Sequence, residues 1–437
     1  MFTFLSLFLR SALLYVLYFG GIITMIATIS KKAEWGLYLL VAIIPQPNII
    51  VKLYDFPMGK DFINFLFLSI LIGIFINKNG FIKNFNSIII ILFSVVSYFA
   101  LLNSSMQFSL PLPITFDNPL FKPWKNYVMM IFLYLLVINA IKNERQQKIL
   151  VVIMCIVILF IAIRSYRAYS LGEFFTGSRY EGPFWVFGLG ANHFGAFIVH
   201  YWSVFLALFL FDNDRKRKLL YLATILLSIH PLFASYSRGA YLGALGVMVF
   251  LGIIKKRILL VIALVILIFW QSVLPQSVVD RVLMTQTDFG ELEHSAAVRL
   301  DLWDHAMKLF TQNPVFGIGF GGFQFSVPEG FYYTDTHNFF MKTLSEQGVI
   351  GFTLLLFILF LAFRSGWRLF KIGGTPFHKG LGFGFLGCII ACIITNMFGD
   401  RWSYFVLGGY FWVFWGLVDR GILISQEADI SKDKFEE

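Results

Sequence analysis

Apolar runs of about 17 to 27 residues recur along this 437-residue chain, each long enough to cross a hydrocarbon layer about 30 Å thick. In lipid every backbone amide must find its partner within the chain, so only α-helices and closed barrels can span. Barrel strands would alternate apolar and polar residues over about ten positions. Ile88 to Phe93 and Leu259 to Phe269 are instead nearly continuous apolar stretches. The sequence therefore predicts an all-α, polytopic transmembrane helix bundle. Composition agrees, with 58% hydrophobic and 14% charged residues, where a soluble domain carries about a quarter charged.

Spans are expected at about 4–29, 34–50, 61–77, 84–103, 124–141, 147–165, 190–211, 217–235, 238–254, 257–273, 337–363, 380–399 and 402–420. This gives thirteen, or twelve if the first is interfacial or re-entrant. The first run, Phe2 to Ile29, is too long for the apolar region of a cleaved signal peptide and reads as retained. The net charge of +10 does not imply a nucleic-acid partner. Lys31 and Lys32, Lys78 to Lys83, Lys142 to Lys148, Arg215 to Lys218, Lys255 to Arg257 and Arg364 to Lys379 fall in alternate connections, the positive-inside pattern. These loops and the C-terminus are expected in the cytoplasm.

The boundaries that follow are 1–271 for the N-terminal transmembrane helices, 272–336 for a large external loop, 337–421 for the C-terminal helices, and 422–437 for a cytoplasmic tail expected to be disordered. The long loop carries Arg281, Arg299 and Lys308 against Asp280, Asp288, Glu291, Glu293, Asp301, Asp304, Glu329 and Asp335. That acidic balance suits the external side. Within it, Val298, Leu302, Ala306 and Leu309 recur at helical spacing, which reads as an amphipathic helix on the membrane surface with Trp303 at headgroup level. The run Gly317-Ile318-Gly319-Phe320-Gly321-Gly322 follows a turn at Asn313-Pro314. A dinucleotide site would need a cytoplasmic strand and helix around it, so close backbone packing is the better reading. Cys155, Cys388 and Cys392 all fall in apolar runs, and His193, His200, His230, His294, His305 and His378 are scattered. Neither a disulfide framework nor a metal site is expected.

Topology leaves three basic residues on the outer side that chemistry could use: Arg179, Arg238 and Arg299. Arg238 stands in the short connection Ser235-Tyr236-Ser237-Arg238-Gly239-Ala240. Taken alone it could be a helix-end arginine reaching lipid phosphates. His337 lies where the loop re-enters the membrane, between Asp335 and Asn338, which by itself suits a helix cap equally well. Together, guanidiniums that hold a diphosphate and an imidazole that accepts a proton suit transfer onto an alcohol with a diphosphate leaving group.

At these residues the sequence resembles the bacterial O-antigen ligase and O-antigen polymerase superfamily. Ser237-Arg238-Gly239-Ala240 is similar to its Ser-Arg-Gly element. Arg299-Leu300-Asp301-Leu302-Trp303 through Asn313-Pro314-Val315-Phe316-Gly317-Ile318-Gly319 is similar to its loop-helix block, and His337-Asn338 with Leu344-Ser345-Glu346-Gln347-Gly348-Val349-Ile350-Gly351 to its re-entry block. The resemblance covers about residues 179 to 360; the N-terminal half matches only in being helical and apolar.

The resemblance implies a GT-C-type membrane glycosyltransferase on the periplasmic face of the inner membrane. Its donor would be a polyprenyl-diphosphate-linked glycan, its acceptor a hydroxyl of lipid A core, of another repeat unit or of protein, and it would need no cofactor or metal. It further implies that Arg238 and Arg299 bind the diphosphate and that His337 activates the acceptor for inverting attack. Arg179, in Gly177-Ser178-Arg179-Tyr180-Glu181-Gly182, Asn192, Asp335 and Asn338 would bind substrate. With no folded domain after Leu417, lipid A core is favoured over protein as acceptor. A transporter or flippase of a lipid-linked anion is the alternative from another class, and it should carry its charges near the midplane. A purely structural scaffold would leave these residues without a shared cavity.

Overall fold

The computed structural model describes residues 2–30, 32–76, 81–169, 179–283, 294–327 and 334–436. Lys31, Lys78, Gly177, Ser178, Asp288, Glu291, Glu293 and Glu329, which entered the sequence reading, lie outside the described residues. The chain is all-α, 81% helical and without strands among the described residues. In order the helices are α1 (Phe2–Ser30), α2 (Ala33–Ile43), α3 (Pro47–Leu53), α4 (Phe62–Ile76), α5 (Phe85–Gln107), α6 (Phe121–Ala140), α7 (Glu144–Ala168), α8 (Ala191–Phe211), α9 (Arg215–Ala234), α10 (Arg238–Ile254), α11 (Arg257–Val273), α12 (Gln276–Leu283), α13 (His294–Gln312), α14 (Phe323–Ser326), α15 (Phe339–Ile372), α16 (Pro376–Asn396) and α17 (Phe405–Glu436). Short 3-10 turns occupy Gly59–Asp61 and Gly182–Phe187.

Every expected span corresponds to a helix or a bent pair of helices, but not every one is a straight crossing. Among the described residues ten helices are long and apolar enough to cross a membrane, or up to twelve if each of two bent pairs counts as one span. The seventeen-residue α10 is a shorter apolar helix. One bent pair is α2 and α3, read from sequence as a single span over 34–50 and here broken by 110°. Pro45 and Pro47 account for the break, since a proline lacks the amide hydrogen and bars the preceding residue from helical geometry. The other pair is α11 and α12, which turn by 99° at Leu274-Pro275. The α2–α3 break thus falls in the second expected span, while the first forms the continuous helix α1.

Helices α8, α16 and α17 form the enclosed centre, and α1 lies at the periphery against α2 and α4. Glycines make the central contact close: a Cβ at Gly384 would stand 2.7 Å from the Val204 backbone. At the end of the bundle carrying the basic clusters, polar side chains pin helices together. Asn86 donates to Asp419 (2.7 Å) and Tyr134 donates to the same carboxylate, while Gln147 pairs with His378 at 2.8 Å. The segment from 422, expected to be disordered, continues α17 as helix to Glu436. No Gly or Pro follows Ile422 to interrupt it.

Helix α13 is the amphipathic helix expected in the long loop. Its stripe of Leu302 and Ala306 is buried with Phe323 and packed by Val298, Leu309 and Met341, so protein rather than lipid covers it. Trp303 donates its indole N–H to the Thr336 carbonyl at 3.0 Å, tying α13 to the segment before α15. The glycine run behaves as read, as close packing. Ile318 and Gly319 donate backbone N–H groups to the carbonyls of Ser345 and Glu346, and Phe320 donates to that of Ala100. Glu346, buried in α15, accepts from the Gly321 and Phe323 amides.

Candidate active site

The connection between α9 and α10 is built to present Arg238. Pro231 sits in the last turn of α9, Tyr236 turns the chain at φ 47°, and Ser237 caps α10 by accepting from the Ala240 amide. Tyr236 is fully buried and bonded to Ser277 of α12 (3.1 Å), so α12, folded back at its proline, lies against this turn and brings Arg281 beside it.

Arg238, Arg281, Arg299 and Arg401 line one cavity of about 390 Å³ together with Asn192, Tyr236, Ser237, Tyr241 and Phe398. No carboxylate belongs to its wall among the described residues. The four arginines come from the start of α10, from α12, from α13 and from the α16–α17 connection, all at the end of the bundle opposite the basic clusters. Arg401 is buried, with its amide donating to Asn396 and its guanidinium to Nε2 of His193 (2.8 Å). Burial, with repulsion from Arg299, lowers Arg401 to about 10, which still leaves it charged at neutral pH. Its neighbour Asp400 opposes that lowering, and the Asp400 carbonyl also accepts from the Arg401 guanidinium. Burial alone would raise the Asp400 carboxyl, but Lys342 at 2.9 Å and the Ser403 amide hold it below the usual range.

His337 sits just outside that wall. It adopts φ 50°, a left-handed conformation uncommon for a residue with a side chain. Its Nδ1 lies 3.8 Å from Asp335, which is itself 3.9 Å from Lys342. Burial lowers the imidazole below its ordinary value; Asp335 opposes this, and Arg299 and Arg401 add to it. The balance favours the neutral imidazole, within the field of two arginines, Arg299 and Arg401.

Sequence reasoning grouped seven residues here, and the structure divides them. Arg238, Arg299 and Asn192 line the cavity, and His337 and Asp335 form a pair beside it. Arg179 faces the protein: it donates to the Ser235 carbonyl (2.7 Å), the Tyr236 carbonyl (3.1 Å) and Asn192 Oδ1 (2.8 Å). Burial, then repulsion from Arg281, lowers it to about 10. Asn338 is the cap of α15, its side-chain oxygen accepting from the Phe340 and Met341 amides. Arg281, Arg401 and His193 are the residues that sequence reasoning left out. Arg401 carried the same signal as Arg238, a basic residue in a very short connection on the outer side.

A polyanion is the ligand that four converging guanidiniums suit, and no group of His, Cys, Asp or Glu able to hold a metal occurs among the described residues. No curated protein matches the chain. Residues 222–356 match the family described as O-antigen ligase, a region that contains Arg238, Arg281, Arg299 and His337 but not Arg179 or Arg401. The match supports a membrane glycosyltransferase of the O-antigen ligase or polymerase type, acting between a lipid-linked glycan donor and an acceptor. Through residues 222–356 the chain is thus similar to the O-antigen ligase family, in the stretch that carries most of the motifs singled out from the sequence.

Proposed function

We propose that the protein transfers a glycan from a polyprenyl diphosphate to an acceptor hydroxyl on the periplasmic face of a bacterial inner membrane, without a metal and with inversion. The convergence of Arg238, Arg281, Arg299 and Arg401 on one cavity carries this reading. Arginine forks pair with phosphate oxygens, and their charge stabilises the diphosphate as it leaves the anomeric carbon. His337 takes the proton of the attacking hydroxyl, held by Asp335, and Asn192 helps bind the diphosphate. Arg179 and Asn338 act indirectly, through the turn before Arg238 and the start of α15. The placement of all these groups at helix ends favours surface chemistry over passage, against the transporter alternative.

Lipid A core is the acceptor we favour, with polymerisation of lipid-linked repeats or transfer to protein as variants of the same chemistry. The test is transfer of a lipid-linked glycan to purified lipid A core by the reconstituted protein in EDTA. Transfer that His337→Ala and Arg238→Ala both abolish is the expected result. Chain lengthening from lipid-linked repeats alone would instead assign a polymerase, and neither activity would restore the transporter.

A further inference from the structure

A second cavity, of about 340 Å³, lies behind Arg179, lined by Gln46 and Asn48 at the start of α3, Arg164 near the end of α7, and Glu181 and Trp185. None of its wall falls within residues 222–356, so the family match assigns it nothing. Its size is within the range of small-molecule sites, about 300–1,000 Å³.

The break between α2 and α3 brings Gln46 to this wall. Gln46 is only 3% exposed, and its side-chain Oε1 has no hydrogen-bond partner among the described residues. A buried amide oxygen in that state is free to accept a hydrogen bond from a water or from a hydroxyl of a ligand in the cavity. Trp185, on the 3-10 turn Gly182–Phe187, is 60% exposed and offers a large apolar face at the same cavity. Two amides, one carboxylate, two arginines and the rings of Tyr180 and Trp185 make a mixed wall, and of the arginines Arg179 is already engaged by the Ser235 and Tyr236 carbonyls and Asn192. With Arg179 engaged elsewhere, Glu181 offsets the charge of Arg164 and leaves no excess of free cations for a phosphate, and an acyl chain would leave Gln46 unsatisfied. A pyranose ring presents hydroxyl donors and acceptors at its edge and C–H groups on its face, which is the complement of this wall.

We propose that this cavity is a saccharide subsite that takes one sugar ring of the glycan substrates, separated from the arginine cavity by the Arg179 side chain. Arg179 donates to Asn192 and to the Tyr236 carbonyl, and Asn192 and Tyr236 line the first cavity. A sugar held here lies one side chain away from the diphosphate. The ring can come from the donor glycan or from the acceptor, and the subsite rests on the glycosyl-transfer reading.

The test uses the full chain in nanodiscs. Saturation-transfer NMR is recorded with free glucose, galactose, rhamnose and N-acetylglucosamine, alongside steady-state transfer. At least one sugar should give a signal that Arg238→Ala keeps and that Trp185→Ala and Gln46→Leu weaken about tenfold. Trp185 is exposed, so its truncation leaves the fold intact. In transfer, Trp185→Ala should raise KM about tenfold for one substrate with kcat little changed, and that substrate identifies the source of the ring. Unchanged KM for both substrates, or sugar signals indifferent to Trp185 and Gln46, overturns the subsite while transfer still runs. A Trp185-dependent sugar signal in a protein that transfers nothing upholds the subsite and overturns the glycosyl-transfer reading.

Discussion

The surroundings of His337 favour its neutral form, as the proposed role of base requires, and the sign of each influence can be tested. Burial is the largest cause, Arg299 and Arg401 lower the imidazole further, and Asp335 raises it. A general base works unprotonated, so kcat/KM should stay level through neutrality and fall only as pH drops through a value below the ordinary one of about 6.5. Asp335→Asn removes a raising charge and should move that acid limb to lower pH, whereas Arg299→Gln should move it upward while also lowering the rate. A limb above about 6.5, or one that Asp335→Asn leaves in place, would remove His337 from the role of base. Arg401 yields a second prediction. Arg401→Ala should lower kcat by about 10²–10³-fold, the usual effect of deleting a donor aimed at developing charge, and Arg401→Lys should recover only part of it because the fork is lost. A melting curve keeps this separate from unfolding, since Arg401 is buried. Arg401 was legible in the sequence by the rule that picked out Arg238, but Asp400 beside it suggests a neutral local pair. The structure gives Asp400 to Lys342 and Arg401 to His193. Arg179 was legible as an unusual charge, but sequence cannot tell a guanidinium that binds ligand from one that binds carbonyls.

Helix ends and breaks, rather than helix interiors, build the site, and they are also where sequence reasoning was least informative. Hydropathy summed over 34–50 registers one apolar run and does not register that Pro45 and Pro47 turn it by 110°. The same applies to α12, eight residues too polar to read as a span, which fold back to set Arg281 beside Tyr236. The apolar stripe of α13 was legible in full, but its partner was not, because periodicity shows which face is buried and not what buries it. The glycine run gives the element-scale prediction. Gly319 has φ 96°, and a Cβ there would stand 2.2 Å from the Ser104 backbone nitrogen. Gly188 has φ 70° with nothing within 4 Å of the same atom. Alanine at Gly188 should therefore cost only backbone strain, about 1 kcal/mol, whereas Gly319→Ala adds displacement of α5 and should cost about 3 kcal/mol or more. Thermal unfolding of the two variants in one detergent checks this. Equal losses would mean that the run does not dock on α5.

At the scale of the whole molecule, charge is sorted by the ends of the bundle. Arg215 to Lys218, Lys255 to Arg257 and Lys379 all lie at the end opposite the arginine cavity, next to the termini of α9, α11 and α16. The end with the arginine cavity also carries cations, among them Arg238, Arg281, Arg299 and Arg401 around the cavity and Lys342 between Asp335 and Asp400. If the positive-inside rule orients the chain, the cavity faces the periplasm and α17 ends in the cytoplasm. The protein is well suited to a direct test of that orientation, because Cys155, Cys388 and Cys392 are all buried and give little background. Lys308 pairs with Asp304 on the exposed face of α13, and Lys216 lies in the first turn of α9, at the other end. In spheroplasts, Lys308→Cys should react with a membrane-impermeant maleimide, while Lys216→Cys should react only after the membrane is permeabilised. Labelling of Lys216→Cys alone in intact spheroplasts would invert the orientation. It would place the arginine cavity on the cytoplasmic side, where a glycan already carried to the outer face could not reach it.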